Sequence, residues 1–187
     1  MKLRKLKKSD LILLVIITVL IIPQTRHQIQ IGIHSIFSKF GPSIEGETNR
    51  EHVIYQDWEL KDLDGNILNF KDLENKIVFL NFWATWCPPC IAELPSIQDL
   101  YDDYKDKIVF VLVSSEKPEV VKAFKDKKAY SLNSYTPLSG YPNNFNIRSI
   151  PRTFLISKKG EIIIDKSGAA NWNSGGVRQQ IDALILK

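Results

Sequence analysis

The sequence predicts an α/β fold, a sandwich with a central mixed β-sheet flanked by helices. Residues 77–82 and 108–114 are nearly continuous apolar runs of strand length, the pattern of strands buried on both faces. Each run is followed by a segment of helical character, at 88–105 and 118–128. Two turn signals, Asp64-Gly65-Asn66 and Lys158-Lys159-Gly160, each divide a pair of short apolar stretches and read as hairpins.

Taken in order, residues 55–60 and 67–70 form the first predicted hairpin, an N-terminal extension of the sheet. Strand 77–82, helix 88–105, strand 108–114 and helix 118–128 follow. The second hairpin pairs 153–157 with 162–165. The last element is a helix over 174–186, with Val177, Ile181, Leu184 and Ile185 on one face. Strands alternating with helices, then a hairpin and a final helix, describe one layered domain over residues 51–187.

The first 50 residues have another character. Lys2, Arg4, Lys5, Lys7 and Lys8 make residues 1–10 a basic flank, and residues 11–22 are apolar except for Thr18. This is the pattern of an export signal. Twelve helical residues span only about 18 Å, short of a ~30 Å hydrocarbon layer, which favours a cleaved signal. The sequence after Ile22, Pro23-Gln24-Thr25-Arg26-His27, offers no pair of small residues for cleavage and no cysteine for a lipid anchor. Ile29, Ile33, Ile36, Phe37 and Phe40 fall at helical spacing, as in a helix lying in a membrane interface, although a linker or a packed helix fits the same spacing. The expectation is an uncleaved signal-anchor at 11–22 with its basic end in the cytoplasm. An interfacial segment and flexible link over 23–50 would then carry an extracytoplasmic domain.

Composition excludes several functions. The net charge of +4 comes from the first ten residues, so the remainder offers no uniform basic face and no nucleic-acid partner is expected. With 44% hydrophobic residues the chain can bury a core. It has two cysteines, Cys87 and Cys90, and no disulfide framework. A structural disulfide closing so small a ring stabilises by only about 2 kcal/mol. Structural zinc needs four ligands, and outside this pair only His52 lies beyond the membrane-proximal segment. Neither a metal nor a cofactor is expected.

Position supplies the chemistry. Cys87 stands where a buried strand gives way to a helix, and Pro88 suits the first helical turn because its missing N–H has no partner there. Unpaired backbone N–H groups and the positive end of the helix dipole favour the Cys87 thiolate, so Cys87 is the expected nucleophile. Cys90, one turn further in, would attack the mixed disulfide and release the substrate.

The segment Asn81-Phe82-Trp83-Ala84-Thr85-Trp86-Cys87-Pro88-Pro89-Cys90, followed by Glu93-Leu94-Pro95, resembles the active site of the membrane-anchored TlpA/ResA-like thioredoxins. Residues 146–156, with Ile150-Pro151-Arg152-Thr153, resemble that family's cis-proline segment. The likeness runs from about Tyr55 to the end. It implies a thioredoxin-like sandwich and a redox pair at Cys87 and Cys90. It also implies a cis-proline at Pro151 and substrate contacts at Trp86, Pro88, Ile150 and Pro151. Base rates for an X–Pro bond favour trans, so the cis expectation at Pro151 rests on the resemblance.

Glu93 shares a helix face with Cys90. It fits a general base for Cys90 or a surface glutamate favoured by the helix N-terminus, and the resemblance points to the base. Asn81 stands where soluble thioredoxins carry a buried aspartate and does not titrate, which strengthens the case for Glu93. Trp83 is expected to support the site from within, Trp172 to pack in the core or rim, and Pro95 to bend the helix. Arg152 departs from the family's small hydroxyl residue. It would either favour the Cys87 thiolate, or select acidic substrates, or be solvated.

The resemblance implies reduction of extracytoplasmic protein disulfides, for example apocytochrome c cysteines, with a membrane electron donor to restore the dithiol. Motif type alone does not fix the direction of electron flow. The competing functions are a thiol peroxidase and a tethered redox-sensing or binding module without catalysis. Peroxiredoxins have threonine three residues before the reactive cysteine, and here that residue is Ala84.

Overall fold

A computed structural model describes residues 8–21, 25, 28–33, 40–44, 46, 50–142, 145 and 147–186. The apolar N-terminal run forms helix α1 (Lys8–Ile21), 14 residues and so about 21 Å long. Among the described residues no helix is long and apolar enough to cross a membrane. Leu11, Ile12, Leu13 and Leu14 on α1 are all exposed. Residues 28–33 are helical and expose Ile29 and Ile33. The rest of the expected basic flank (Lys2 to Lys7), Ile36 and Phe37 lie outside the described residues.

The domain contains β1 (Glu59–Asp62), β2 (Ile67–Asn69), a 3-10 turn (Phe70–Leu73), β3 (Val78–Phe82), α2 (Pro88–Tyr104), β4 (Val109–Val113), α3 (Pro118–Lys128), β5 (Ser134–Pro137), β6 (Arg152–Ile156), β7 (Ile162–Ser167) and α4 (Gly175–Ile185). The seven strands make one mixed sheet in the order β2-β1-β5-β4-β3-β6-β7. β3 pairs parallel with β4 and antiparallel with β6. All five β3 residues are buried, as expected of a strand covered on both faces.

Alternation along β3 builds two cores. Phe79 joins a cluster with Leu94, Ile97 and Leu100 of α2, Val121 of α3, and Val177, Ile181 and Leu184 of α4. Val78, Leu80 and Phe82 face the opposite cluster, with Trp58, Phe70, Leu73 and Phe145. The sequence predicts a sheet flanked by helices. In the structure the buried side chains of α2, α3 and α4 share one face, and the other is roofed by aromatic side chains from short and irregular segments. Trp58 is central there, with its ring centroid 5.7 Å from Phe70, 6.1 Å from Phe82 and 6.2 Å from Phe145.

Both hairpins form where the turn residues place them. Gly65 and Gly160 adopt φ of +95° and +79°, and a Cβ at Gly160 would also lie 3.3 Å from the Tyr55 ring. The first hairpin is shorter than expected, because its N-terminal arm pairs only from Glu59. β5 is absent from the sequence reading: Ser-Tyr-Thr-Pro has no apolar run, and the strand is defined by pairing β1 on one side and β4 on the other. The expected flexible link is held where it begins. Just before it, the Phe40 carbonyl accepts from the Asn171 N–H at 2.9 Å. Gly41 sits so close that a Cβ would meet Ser174 Oγ at 2.5 Å.

Trp58→Ala should destabilise the domain by about 3–5 kcal/mol, because this roof has no helix to settle into the void. Urea denaturation of the two proteins measures the difference.

Candidate active site

The reactive pair lies at the junction of β3 and α2. The Trp83 N–H donates to the Val113 carbonyl at 3.0 Å, so the chain stays on the sheet for one residue beyond the strand. Cys87 then caps α2, with extended backbone at φ −92°, ψ 104°, and Pro88 takes the first turn. Cys87 and Cys90 form a disulfide. The Cys90 N–H donates to Cys87 Sγ at 3.3 Å, the contact that would favour a thiolate after reduction. Cys87 is 3% exposed and Cys90 fully buried, which leaves Cys87 as the sulfur that a substrate reaches.

The peptide bond between Ile150 and Pro151 is cis. Cys87 Sγ lies 3.8 Å from the Ile150 carbonyl oxygen, so the proline segment faces the disulfide. Trp86, next to Cys87, is 65% exposed and presents a flat apolar surface at the mouth of the site, whereas Trp83 is buried against Phe124. Pro88 and Ile150 are half-buried at the same rim. The structure therefore gathers Trp86, Cys87, Pro88, Ile150 and Pro151 around one sulfur.

Glu93 is 1% exposed, so of its two readings the surface glutamate is excluded. Its Oε1 accepts from Asn81 Nδ2 at 2.9 Å. Its Oε2 accepts from Trp172 Nε1 at 2.9 Å and from the Ala170 N–H at 3.3 Å. Burial raises the carboxyl from its ordinary 4.5 to about 8, even with the donors Trp172, Asn81 and Ala170 and the charge of Lys166 pulling it down. A carboxyl that titrates near neutrality one helical turn from Cys90 suits proton exchange with that thiol.

Trp172 was expected only to pack. It is fully buried and also orients the Glu93 carboxyl, a role that no local sequence pattern signals. Glu116, just after β4, is a second residue that sequence reasoning missed. It accepts from both the N–H and the hydroxyl of Thr85, each at 2.7 Å, and so pins the loop that carries Trp86 and Cys87. Asn81 donates its second amide proton to Thr153 Oγ1 at 2.7 Å.

Arg152 does not act on the redox pair. It starts β6 on the face of Phe154, opposite the cluster that holds both cysteines. Its guanidinium pairs with Asp165 at 2.5 Å, donates to Ser167 Oγ at 2.6 Å and stacks over the Phe154 ring. The charge is paired with Asp165 on the face away from the cysteines, so among its three readings neither an effect on the Cys87 thiolate nor selection of acidic substrates gains support. Among the described residues, no group of three or more His, Cys, Asp or Glu side chains is placed to hold a metal.

The AhpC/TSA family profile matches residues 53–164, more than half of the chain. The thiol-disulfide oxidoreductase ResA of Halalkalibacterium halodurans is 35% identical over 127 residues, covering 65% of this chain and 67% of that protein. The ResA of Oceanobacillus iheyensis is 42% identical over 115 residues, covering 57% of this chain and 59% of that protein, less than two thirds of its length. Among solved structures, StoA from Bacillus subtilis superposes with a TM-score of 0.55 at 27% identity, covering 69% of this chain and 96% of that one.

Two outcomes test the electrostatics and geometry of the site. With the Glu93 carboxyl at about 8 in the fold and 4.5 as its ordinary value, the folded state holds a proton that the unfolded state has lost throughout that window. Stability therefore falls as pH rises from 4.5 to 8, by up to about 5 kcal/mol, and levels off above. Glu93→Gln should flatten that slope in denaturation midpoints measured at pH 5, 7 and 8.5. Glu116→Ala leaves two Thr85 donors without their acceptor and should cost about 1–3 kcal/mol of stability. It should also slow thiol exchange at Cys87 with a small dithiol, while Glu116→Gln, which still accepts, retains most of both.

Proposed function

Because the chain belongs to the AhpC/TSA family and is a ResA-like thiol–disulfide oxidoreductase of thioredoxin fold, we propose that it reduces protein disulfides outside the cytoplasm, tethered by its N-terminal segment. The observation that carries the reductive reading is the buried Glu93 beside Cys90, because release of a reduced substrate is the step that needs a base there.

In the dithiol form, the Cys87 thiolate attacks one sulfur of the substrate disulfide. A bond forms between Cys87 and that sulfur, the substrate bond breaks, and the first substrate thiolate leaves. The Ile150 carbonyl, beside the cis-proline, is placed to pair with substrate backbone, and Trp86 covers its apolar side chains. Cys90 then gives its proton to Glu93 and attacks Cys87 Sγ. The second substrate thiolate departs, the protein is left as the Cys87–Cys90 disulfide, and two electrons have passed to the substrate. The next turnover needs a dithiol donor, for which a membrane thiol–disulfide reductase is the fitting class. Apocytochrome c cysteines, implied by the family resemblance, are the substrate of choice for a first test.

The basic start of the chain and the exposed apolar side chains of α1 support the tether, with the catalytic domain on the outer face of the cytoplasmic membrane. The peroxidase alternative gains nothing from the site: position 84 is alanine, and the hydroxyl of Thr85 is directed to Glu116 instead of to Cys87.

Cys90→Ser removes the resolving thiol, so substrates should remain covalently bound to Cys87 and be released by added dithiol. Mass spectrometry of complexes trapped in intact cells identifies them. Exported proteins with cysteine pairs and a membrane reductase are expected. If Cys90→Ser traps no protein and the wild type reduces no protein disulfide, the tethered module without catalysis is the correct reading instead.

A further inference from the structure

A polar row crosses the otherwise apolar face of the sheet beneath α2. Asn81 on β3 lies opposite Thr153 on β6, and Thr153 lies opposite Lys166 on β7. Residues directly paired on neighbouring strands put their side chains on the same face, so these three form one line across the sheet. Asn81 bonds to both Glu93 and Thr153. Lys166 ends the line half-buried, and four residues later the chain returns to bond Glu93 Oε2 through the Ala170 N–H.

We infer that Lys166 is a positioning residue for the exchange reaction: its ammonium, held by the β6–β7 register on the Glu93 face, stabilises the carboxylate that takes the proton of Cys90. The inference rests on the proton-acceptor reading of Glu93 above. The groups bonded to that carboxyl are Asn81 from β3 and Ala170 and Trp172 from the segment after β7, with Thr153 of β6 on the far side of Asn81 and Cys90 one turn back on α2. Among these Cys90 alone titrates, and only when reduced. Lys166 is the cation that acts on Glu93, and its charge lowers the proton affinity that burial raises. The neighbouring β7 residue Asp165 faces the other way and is paired with Arg152. Among the described residues, the anion formed when Glu93 loses its proton thus has Lys166 as its compensating charge. Without Lys166, fewer molecules carry the base form at neutral pH, and transfer of the Cys90 proton slows.

The direct test is the titration of the Glu93 side-chain carboxyl, followed by carbon NMR in the full-length oxidised protein, where no cysteine titrates. Lys166→Met should raise the midpoint by about half a unit or more. Lys166→Arg, which keeps the charge, should restore it. In single-turnover reduction of a protein disulfide, the alkaline-rising limb of substrate release should move with the carboxyl, while initial attack by Cys87 stays unchanged. A Glu93 midpoint identical in wild type and Lys166→Met, with both folded and oxidised, overturns the inference. The proton-acceptor reading fails separately: if Glu93→Gln releases substrate at the wild-type rate across pH, Glu93 is not the base, whatever Lys166 does to its titration.

Discussion

A carboxyl group sealed under the disulfide is the constraint around which the domain is organised. An isolated buried carboxylate costs far more than any single contact returns, so burial keeps Glu93 protonated up to about 8 and several elements converge on the anion that forms above it. β3 sends Asn81, the segment after β7 sends the Ala170 N–H and the Trp172 indole, and α2 supplies the carboxyl itself. These elements must be packed in register before the site exists. Correct assembly of β3, α2 and the β7–α4 connection is therefore also the condition for the proton handling proposed for Glu93. Trp172 shows the coupling most directly, because one side chain fills the helical core against Phe79 and orients the Glu93 carboxyl.

The donors do not fully offset burial, and the remainder is useful. A carboxyl held by three N–H groups in water-accessible surroundings would sit well below neutrality and make a poor base for a thiol. Here desolvation outweighs the donors and leaves Glu93 near 8, close to the range in which a thiol exchanges its proton. Asn81 has a part in both forms. Its Nδ2 donates to the carboxyl while its Oδ1 has no partner among the described residues, so rotation of the amide would offer an acceptor to a protonated Glu93. The strand position thus serves either charge state of its neighbour without carrying a charge itself.

Much of this was legible in the sequence, for reasons that differ between residues. Cys87, Pro88 and Cys90 announce a helix N-terminus because local backbone chemistry decides it. Strands β3 and β4 are legible because burial on both faces leaves an apolar run. β5 is not, since a four-residue segment ending in proline takes its strand character from its neighbours. The same distinction runs through the site. Glu93 is visible because it lies one turn from Cys90. Trp172 and Glu116 are 79 and 31 residues from their partners, and no spacing rule reaches across that distance. Arg152 could not be decided from sequence, which places it beside the cis-proline, whereas strand alternation turns its side chain to the opposite face of the sheet.

In the proposed exchange reaction the two halves are consequently controlled from different places. Attack by Cys87 depends on its cap position, on the loop pinned by Glu116, and on the rim formed by Trp86, Ile150 and Pro151. Those contacts are local or lie on the open edge of the site, where a substrate can add to them. In that proposal, resolution by Cys90 draws on the buried Glu93 carboxyl, whose proton affinity reflects burial, three donors and Lys166 at the far end of a cross-sheet row. A bound substrate covers the rim and leaves that row untouched. Changes in the rim can therefore alter which disulfides are accepted while the release step keeps its pH dependence. Changes along the row alter release for every substrate alike. Separation of recognition from proton transfer follows from the sheet geometry, because Pro151 precedes β6 at its edge while Thr153, two residues on, points inward to Asn81.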